Sequence, residues 1–225
     1  MKKGGGDMEK DRGTRVIAIV ALLVGVVGLS IGFAAFSSQL NISSSAEVTP
    51  DSSKFNVDFT STSSGNVSTA AITPTKSPTT LVATDGAIDN SSDPTVTGLH
   101  ATFTEPGQSV TYSFWAKNIG EYIAYLNSIT IANATGADSY KKCTAKSGTT
   151  QALVDAACNG ISMTVKVGNE TATSSSVASI SDHSLAVDGY DPVIVTINYA
   201  ANSGQADGDF EVAFGDITLT YSSVD

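Results

Sequence analysis

FEVAFGDITLTYSS, residues Phe210–Ser223, decides how the rest of the chain is read. Phe210, Val212 and Phe214 alternate with polar residues, and so do Ile217, Leu219 and Tyr221. Alternation with period two puts one apolar face on a pleated strand. Between the two runs the phase slips by one residue at Gly215-Asp216, as a β-bulge requires. Working outward, the same period recurs. It appears in KFNVDFTS (Phe55, Val57, Phe59), LHATFT (Leu99, Ala101, Phe103) and SVTYSFWAK (Val110, Tyr112, Phe114, Ala116). It recurs in YIAYLNSITI (Ile129, Ile131), in ISMTVKV (Ile161, Met163, Val165, Val167) and over Val193, Val195, Ile197 and Tyr199. Glu105-Pro106-Gly107-Gln108 has the proline and glycine of a type II turn. TTQALVDAA, Thr149 to Ala157, is the one helix-like stretch here, with Thr150 as its cap.

These runs predict seven to nine strands in one all-β domain, a two-sheet antiparallel sandwich of jelly-roll or Ig-like type. Residues 61–94 are rich in Ser, Thr, Pro and Gly and read as loop, with one or two short strands near Val67–Ile72 and Leu81–Ala83. Trp115 points away from Tyr112 and Phe114.

The N-terminal part is different. Val16–Phe36 is apolar and uncharged, and five basic residues precede it against three acidic ones. About 20 helical residues cross a bilayer core, and a basic flank stays on the cytoplasmic side. Residues 1–15 therefore read as a cytoplasmic segment and 16–34 as one hydrophobic helix, either an export signal or a retained anchor. Gly32 and Ala34 form a small-x-small site that releases a chain beginning Ala35-Phe36. Cutting after Gly13 instead leaves a prepilin-like apolar terminus, but without an early acidic residue.

Residues 35–48 follow, Ser-rich and sparsely apolar, with Phe36, Leu40 and Ile42 as anchors. Leu40 and Ile42 share one side of an extended strand. Such a segment cannot bury itself and needs a partner surface. Residues 49–225 make up the domain.

From Ala35 onward there are 7 Lys/Arg and 19 Asp/Glu, a net charge of −12. That sign repels nucleic acid and suits solubility outside a cell. Cys143 and Cys158 are the only cysteines, and an even count beyond an export signal reads as a disulfide. In the chain-entropy model that bridge contributes about 3 kcal/mol. Five Asn-x-Ser/Thr sequons occur, at Asn41, Asn66, Asn90, Asn133 and Asn169.

Three pieces of the chain resemble the TasA/camelysin family of exported, fibre-forming bacterial proteins, with which archaeal donor-strand pilins are grouped. They are GFAAFSSQLNISSSAEV with KFNVDFTS (Gly32–Val48, Lys54–Ser61), EPGQSVTYSFWAKNIG (Glu105–Gly120) and FEVAFGDITLTYSS. The resemblance implies a jelly-roll domain that is membrane-inserted before a signal peptidase acts and then secreted to the cell surface or biofilm matrix. It implies that the freed segment inserts as a strand into a neighbouring subunit, giving a homopolymer. The cysteine pair and the 61–94 stretch depart from the family pattern.

Catalysis has little footing in the sequence. Camelysin-type members have been described as metalloproteases, but no HExxH occurs and the two histidines, His100 and His183, are far apart. His100 is expected to face solvent and His183 to lie in a polar loop. No G-x-S-x-G elbow is present, so a hydrolase is not expected. No cofactor is implied. Calcium is a candidate at the acidic loops holding Asp207 and Asp209, or Asp182, Asp188 and Asp191, although these read first as solvated turns. The reading is an exported fibre subunit that is not an enzyme. A membrane-anchored adhesin or binding module is the alternative, and a metalloprotease the third.

Overall fold

Period-two alternation becomes paired backbone over most of the chain. The computed structural model describes residues 37–42, 54–63, 67–91, 94–173 and 178–223. The hydrophobic run and the cleavage residues Gly32, Ala34, Ala35 and Phe36 lie outside the described residues. Among the described residues no helix is long and apolar enough to cross a membrane.

Residues from Ser37 on form one compact unit. Its first sheet has seven strands. The main order is β13 (Ala178–Ser179), β9 (Ala124–Ile131), β17 (Ile217–Ser222), β1 (Ser37–Ile42), β6 (Thr95–Thr97), β5 (Ala87–Asp89), and β14 (Ser184–Leu185) also pairs with β9. The second sheet has six strands. It runs β12 (Glu170–Thr173), β11 (Ile161–Val167), β15 (Tyr190–Tyr199), β8 (Ser109–Asn118), β2 (Val57–Thr60), with β3 (Thr75–Ser77) also on β8. Two short pairs complete it: β10 (Lys141–Ala145) with β16 (Phe210–Phe214), and β4 (Val82–Ala83) with β7 (Ala101–Thr102). The pairings are antiparallel except that of β1 with β6.

The alternating apolar residues form the core. Tyr112 and Phe114 of β8, Val165 of β11 and Val195 of β15 are buried, as are Ile129 of β9 and Leu219 of β17. Trp115, on the other face of β8, is half-buried. Two tyrosines tie the sheets together through their hydroxyls, since a buried phenol needs a polar partner. The Tyr112 hydroxyl accepts the His100 N–H at 3.0 Å and shares its proton between the carbonyls of His100 (2.8 Å) and Thr84 (2.9 Å). The Tyr221 hydroxyl donates to Asp191 Oδ2 at 3.0 Å.

Residues 61–94 hold more strand than expected: β4 and the Ile72–Gly86 bridge fall where the two short strands were expected, and β3 and β5 are added. Residues 82–89 and 95–102 make one long hairpin in a single register, with Ala83 opposite Ala101 and Ala87 opposite Thr97. Its buried anchors, Ile72, Leu81 and Ile88, are spaced too widely for alternation to register in the sequence.

At Gly215-Asp216, where the sequence predicts a bulge, the strand is interrupted and changes partner; the register shift against β9 lies between Thr220 and Tyr221. β16 pairs with β10, and β17 pairs with β9. A Cβ at Gly215 would meet the Ala132 carbonyl oxygen at 1.9 Å, so only glycine fits there. The helix α1 spans Gln151–Asn159, two residues later than predicted. Thr150 stands at its N-cap without a side-chain cap bond. Instead, the Asp207 carboxylate accepts the Thr150 N–H (2.9 Å) and hydroxyl (2.7 Å). In the last turn Cys158 is bonded to Cys143 of β10, with a Cα–Cα distance of 6.0 Å. The Lys141 ammonium donates to the carbonyls of Cys158 and Ile161 at the helix exit, and burial holds its pKa below the usual value.

β2 is buried on both faces. Asp58 stands opposite Lys117 there, and burial pushes its carboxyl up to about 6. Because the folded state favours the protonated acid, Asp58 stabilises most below its unfolded pKa, and that contribution is lost as pH rises through about 6. Urea denaturation of Asp58→Asn between pH 4 and 7 should lack this loss, on the order of 1 kcal/mol after screening. An unchanged pH profile would contradict the assignment.

Candidate functional site

Leu40 and Ile42, expected to anchor a donated strand, lie in β1, an interior strand of the seven-stranded sheet. β1 pairs antiparallel with β17 along its full length, from Ser37 opposite Ser222 to Ile42 opposite Ile217. Its other edge meets β6 at Asn41 and Thr95. The register sets Leu40 opposite Leu219 and Ile42 opposite Ile217, both buried. Without β1 the sheet falls into two pieces, β13-β9-β17 with β14 on one side and β6-β5 on the other. Both pieces would then present an unpaired inner edge. β1 is also the first strand of the compact unit.

The strands flanking β1 run on past Ile42: β17 continues backwards into β16, and β6 forwards into β7. Two cavities lie between these continuations. One, of about 260 Å³, has Gly98, Leu99 and His100 on one side, Val212 and Phe214 on the other, and Met163, Val195 and Ile197 among its lining residues. The next, of about 520 Å³, has Ala101 to Thr104 on one side, Phe210 to Val212 on the other, and Tyr199 among its lining residues. Phe103 stands edge-on to Tyr199 at a centroid distance of 6.3 Å. Among the described residues, β16 pairs on one edge only, with β10, and β7 only with β4. Phe210, Val212 and Phe214 are half-buried, unlike the fully covered apolar faces of β15 and β17. The two cavities therefore lie in a groove between strand edges and have a mixed lining: Val212 and Phe214 border the smaller, while Lys146, Asp207, Asp209 and Glu211 border the larger.

A polar cluster sits at the other end of β17. Asp191 Oδ2 accepts the Tyr221 hydroxyl at 3.0 Å and lies 2.9 Å from His183 Nε2, while His183 Nδ1 is 3.9 Å from Glu170 Oε1. Burial, then the charge of Asp191 and its hydrogen bond, raises the Tyr221 hydroxyl well above the ordinary tyrosine range, so it stays a donor. Two expectations are corrected here. His183 lies in the loop before β14, as expected, but it is not solvated: its side chain is 14% exposed and lies close against Gly168. Asp191 is not in an acidic loop but within β15, and it is buried. A tyrosine whose ring faces the core needs a partner for its hydroxyl, and that signal was present in the alternation of Ile217, Leu219 and Tyr221.

His100 is exposed, as expected. Among the described residues, no group of three or more His, Cys, Asp and Glu is arranged to hold a metal ion. Of the sequons, Asn90 is engaged: its amide bonds both the N–H and the carbonyl of Phe59, which caps the edge of β2. Asn133 and Asn169 are exposed.

No family model, curated protein or solved structure matches this chain.

Tyr221 stands opposite Ser38, so its bond to Asp191 ties the first residues of the β1 site to the second sheet. Tyr221→Phe should lower stability by about 1–2 kcal/mol, the worth of a hydrogen bond to a charged acceptor, in chemical denaturation. A change within about 0.3 kcal/mol would show that the tie carries no weight.

Proposed function

We propose that this chain is an exported structural subunit of cell-surface or extracellular-matrix fibres. The domain is read as a jelly-roll or Ig-like sandwich, and β1 as the strand that passes between copies. One observation carries the reading: the first described strand of the unit occupies an interior place in the sheet, between two pieces that are not paired with each other. Such a strand is held by backbone hydrogen bonds and a few apolar anchors, the chemistry of strand addition. Every copy offers the same slot, so the same segment of a neighbour fits it. Donor and acceptor lie on different surfaces, a heterologous contact that propagates as a filament instead of closing.

Self-pairing, as here, is then the resting form of one copy, and exchange between copies is the assembled form. The Cys143–Cys158 bridge suits an oxidising compartment, which supports export. The resemblance to TasA/camelysin proteins and donor-strand pilins, carried by Gly32–Val48 and the two strand pieces, points the same way. A signal peptidase acting after Ala34 frees the strand, and the membrane holds the precursor until then.

Deleting residues 35–48 from the full chain should abolish fibres in electron microscopy of the secreted material. Normal fibres from the deletion would end the strand-donation reading. N-terminal sequencing of the natural protein separates the anchored alternative, which keeps the hydrophobic run intact.

A further inference from the structure

Five of the eight exposed large apolar side chains among the described residues gather at one end of the compact unit: Ile119, Tyr122, Ile123, Val187 and Tyr190. The first three are on the loop that leads into β9. Val187 is on the loop from β14 to β15, and Tyr190 opens β15. Asn118, fully buried, stitches the two loops together. Its side-chain amide donates to the carbonyls of Tyr122 (2.7 Å) and Leu185 (3.1 Å). Its N–H donates to the Gly189 carbonyl at 3.0 Å, and its own carbonyl accepts the Asp188 N–H at 3.1 Å. Gly120 is wedged in place, since a Cβ there would meet the Asn56 nitrogen at 2.6 Å. A fixed backbone therefore keeps these apolar side chains at the surface. Single exposed apolar residues are ordinary, but a gathered set marks a contact surface.

Strand direction says what that surface meets. Ser37 stands opposite Ser222, Ser222 opposite Tyr125, and Tyr125 opposite Ser184, one row across four strands. β1 and β9 both run antiparallel to β17, so both begin at this row and lead away from it. Tyr122 and Ile123 come just before β9. Phe36, the last residue of the apolar run Val16–Phe36, comes just before β1. Two strand spacings, about 10 Å, separate Ser37 from Tyr125. Between residue 34, the end of the hydrophobic segment, and Ser37 there are two residues, which span about 7 Å at most. The apolar run is thus tethered, without a spacer, to the end of the unit that carries the exposed apolar patch.

We infer that this end of the unit rests on the lipid bilayer while the N-terminal run is inserted, with Ile119, Tyr122, Ile123, Val187 and Tyr190 in the headgroup region. This rests on the reading of a membrane-held precursor above. The residue types suit that place: a tyrosine ring enters the apolar boundary while its hydroxyl stays among headgroups and water. The Lys54–Glu121 ion pair (3.3 Å) and the exposed Asp188 stand beside the patch as its polar rim. From Ala35 onward the net charge is −12, so anionic headgroups repel the unit and the attraction has to be apolar. The contact also sets orientation. β6 begins opposite Asn41 and runs parallel to β1, away from Ser37, so the β4–β7 pair lies at the end remote from the membrane.

Spin labelling of the full-length chain, with its N-terminal run intact, in phosphatidylcholine vesicles tests this. Nitroxides are placed at Ile123→Cys, at Val187→Cys and, as the control, at Val82→Cys, which is exposed on β4. The native cysteines are bonded to each other, so each variant brings one thiol. Relaxation by oxygen, which concentrates in lipid, is compared with relaxation by a water-soluble nickel chelate. Oxygen is expected to dominate at 123 and 187, at the depth of interfacial apolar groups, about 5–10 Å into the headgroup–acyl boundary. Nickel is expected to dominate at 82. Position 187 gives the same reading if the variant at 123 folds poorly. Nickel dominance at 123 and 187 would place this end in water, and protection from both reagents would place it under protein; either result overturns the inference. Lipid access at 82 as well would overturn the end-on orientation. Chains that alkaline carbonate strips from the vesicles are not membrane-held, which would overturn the precursor reading and this inference with it.

Discussion

Everything in the first sheet depends on six residues of backbone, Ser37–Ile42. A buried N–H or C=O without a partner costs as much as a lost hydrogen bond, so an interior strand position cannot be left open. β17 and β6 lie on either side of β1, with β5 as the far edge, and no other described strand bridges them. The strand that does comes from the start of the compact unit, where it is tethered to the domain on one side only. That placement makes the strand a required part of the sheet, and it is the premise of the proposal that copies exchange it.

The rest of the molecule keeps this site in shape. Gly215 allows the last strand to turn from β10 to β9 without a clash against Ala132, and so sets the line of the acceptor wall. Tyr112 and Tyr221 pin the sheets together at two separate points, one through backbone carbonyls of the hairpin and one through Asp191. The disulfide and Lys141 hold α1 against β10, the partner of β16. The walls of the groove are therefore braced from outside, and among the described residues β16 pairs only with β10 and β7 only with β4.

Much of this was legible before the fold was known. The long alternating runs carry their own period, so β8, β11, β15 and β17 sit close to where alternation put them, and β11 matches ISMTVKV residue for residue. The slip at Gly215-Asp216 and the cysteine pair were also readable. Of the hairpin β4 to β7, the stretches holding β4 and β7 were read as strands, but β5, β6 and their pairing were not, because Thr, Asp and Gly interrupt the apolar residues and each of these two strands buries a single side chain, Ile88 or Val96. The burial of His183 and the strand position of Asp191 were missed for a related reason: polar residues near Gly and Pro read as solvated loop, and only the tertiary structure brings Tyr221 to Asp191 and Asp191 to His183. The groove could not be read at all, because it is made by two strands more than 100 residues apart in sequence. The family resemblance suggested strand donation, which stands as the proposal made above.

Solid-state NMR on fibres assembled from an equal mixture of ¹⁵N-labelled and ¹³C-labelled chains tests the central claim most directly. Nitrogen–carbon contacts between residues 37–42 and 217–222 can arise in such fibres only between different molecules. The account predicts these contacts across the whole β1–β17 register. Their absence in the mixture, with the same contacts present in fibres of doubly labelled chains diluted in unlabelled ones, would show that each chain keeps its own strand and would contradict it.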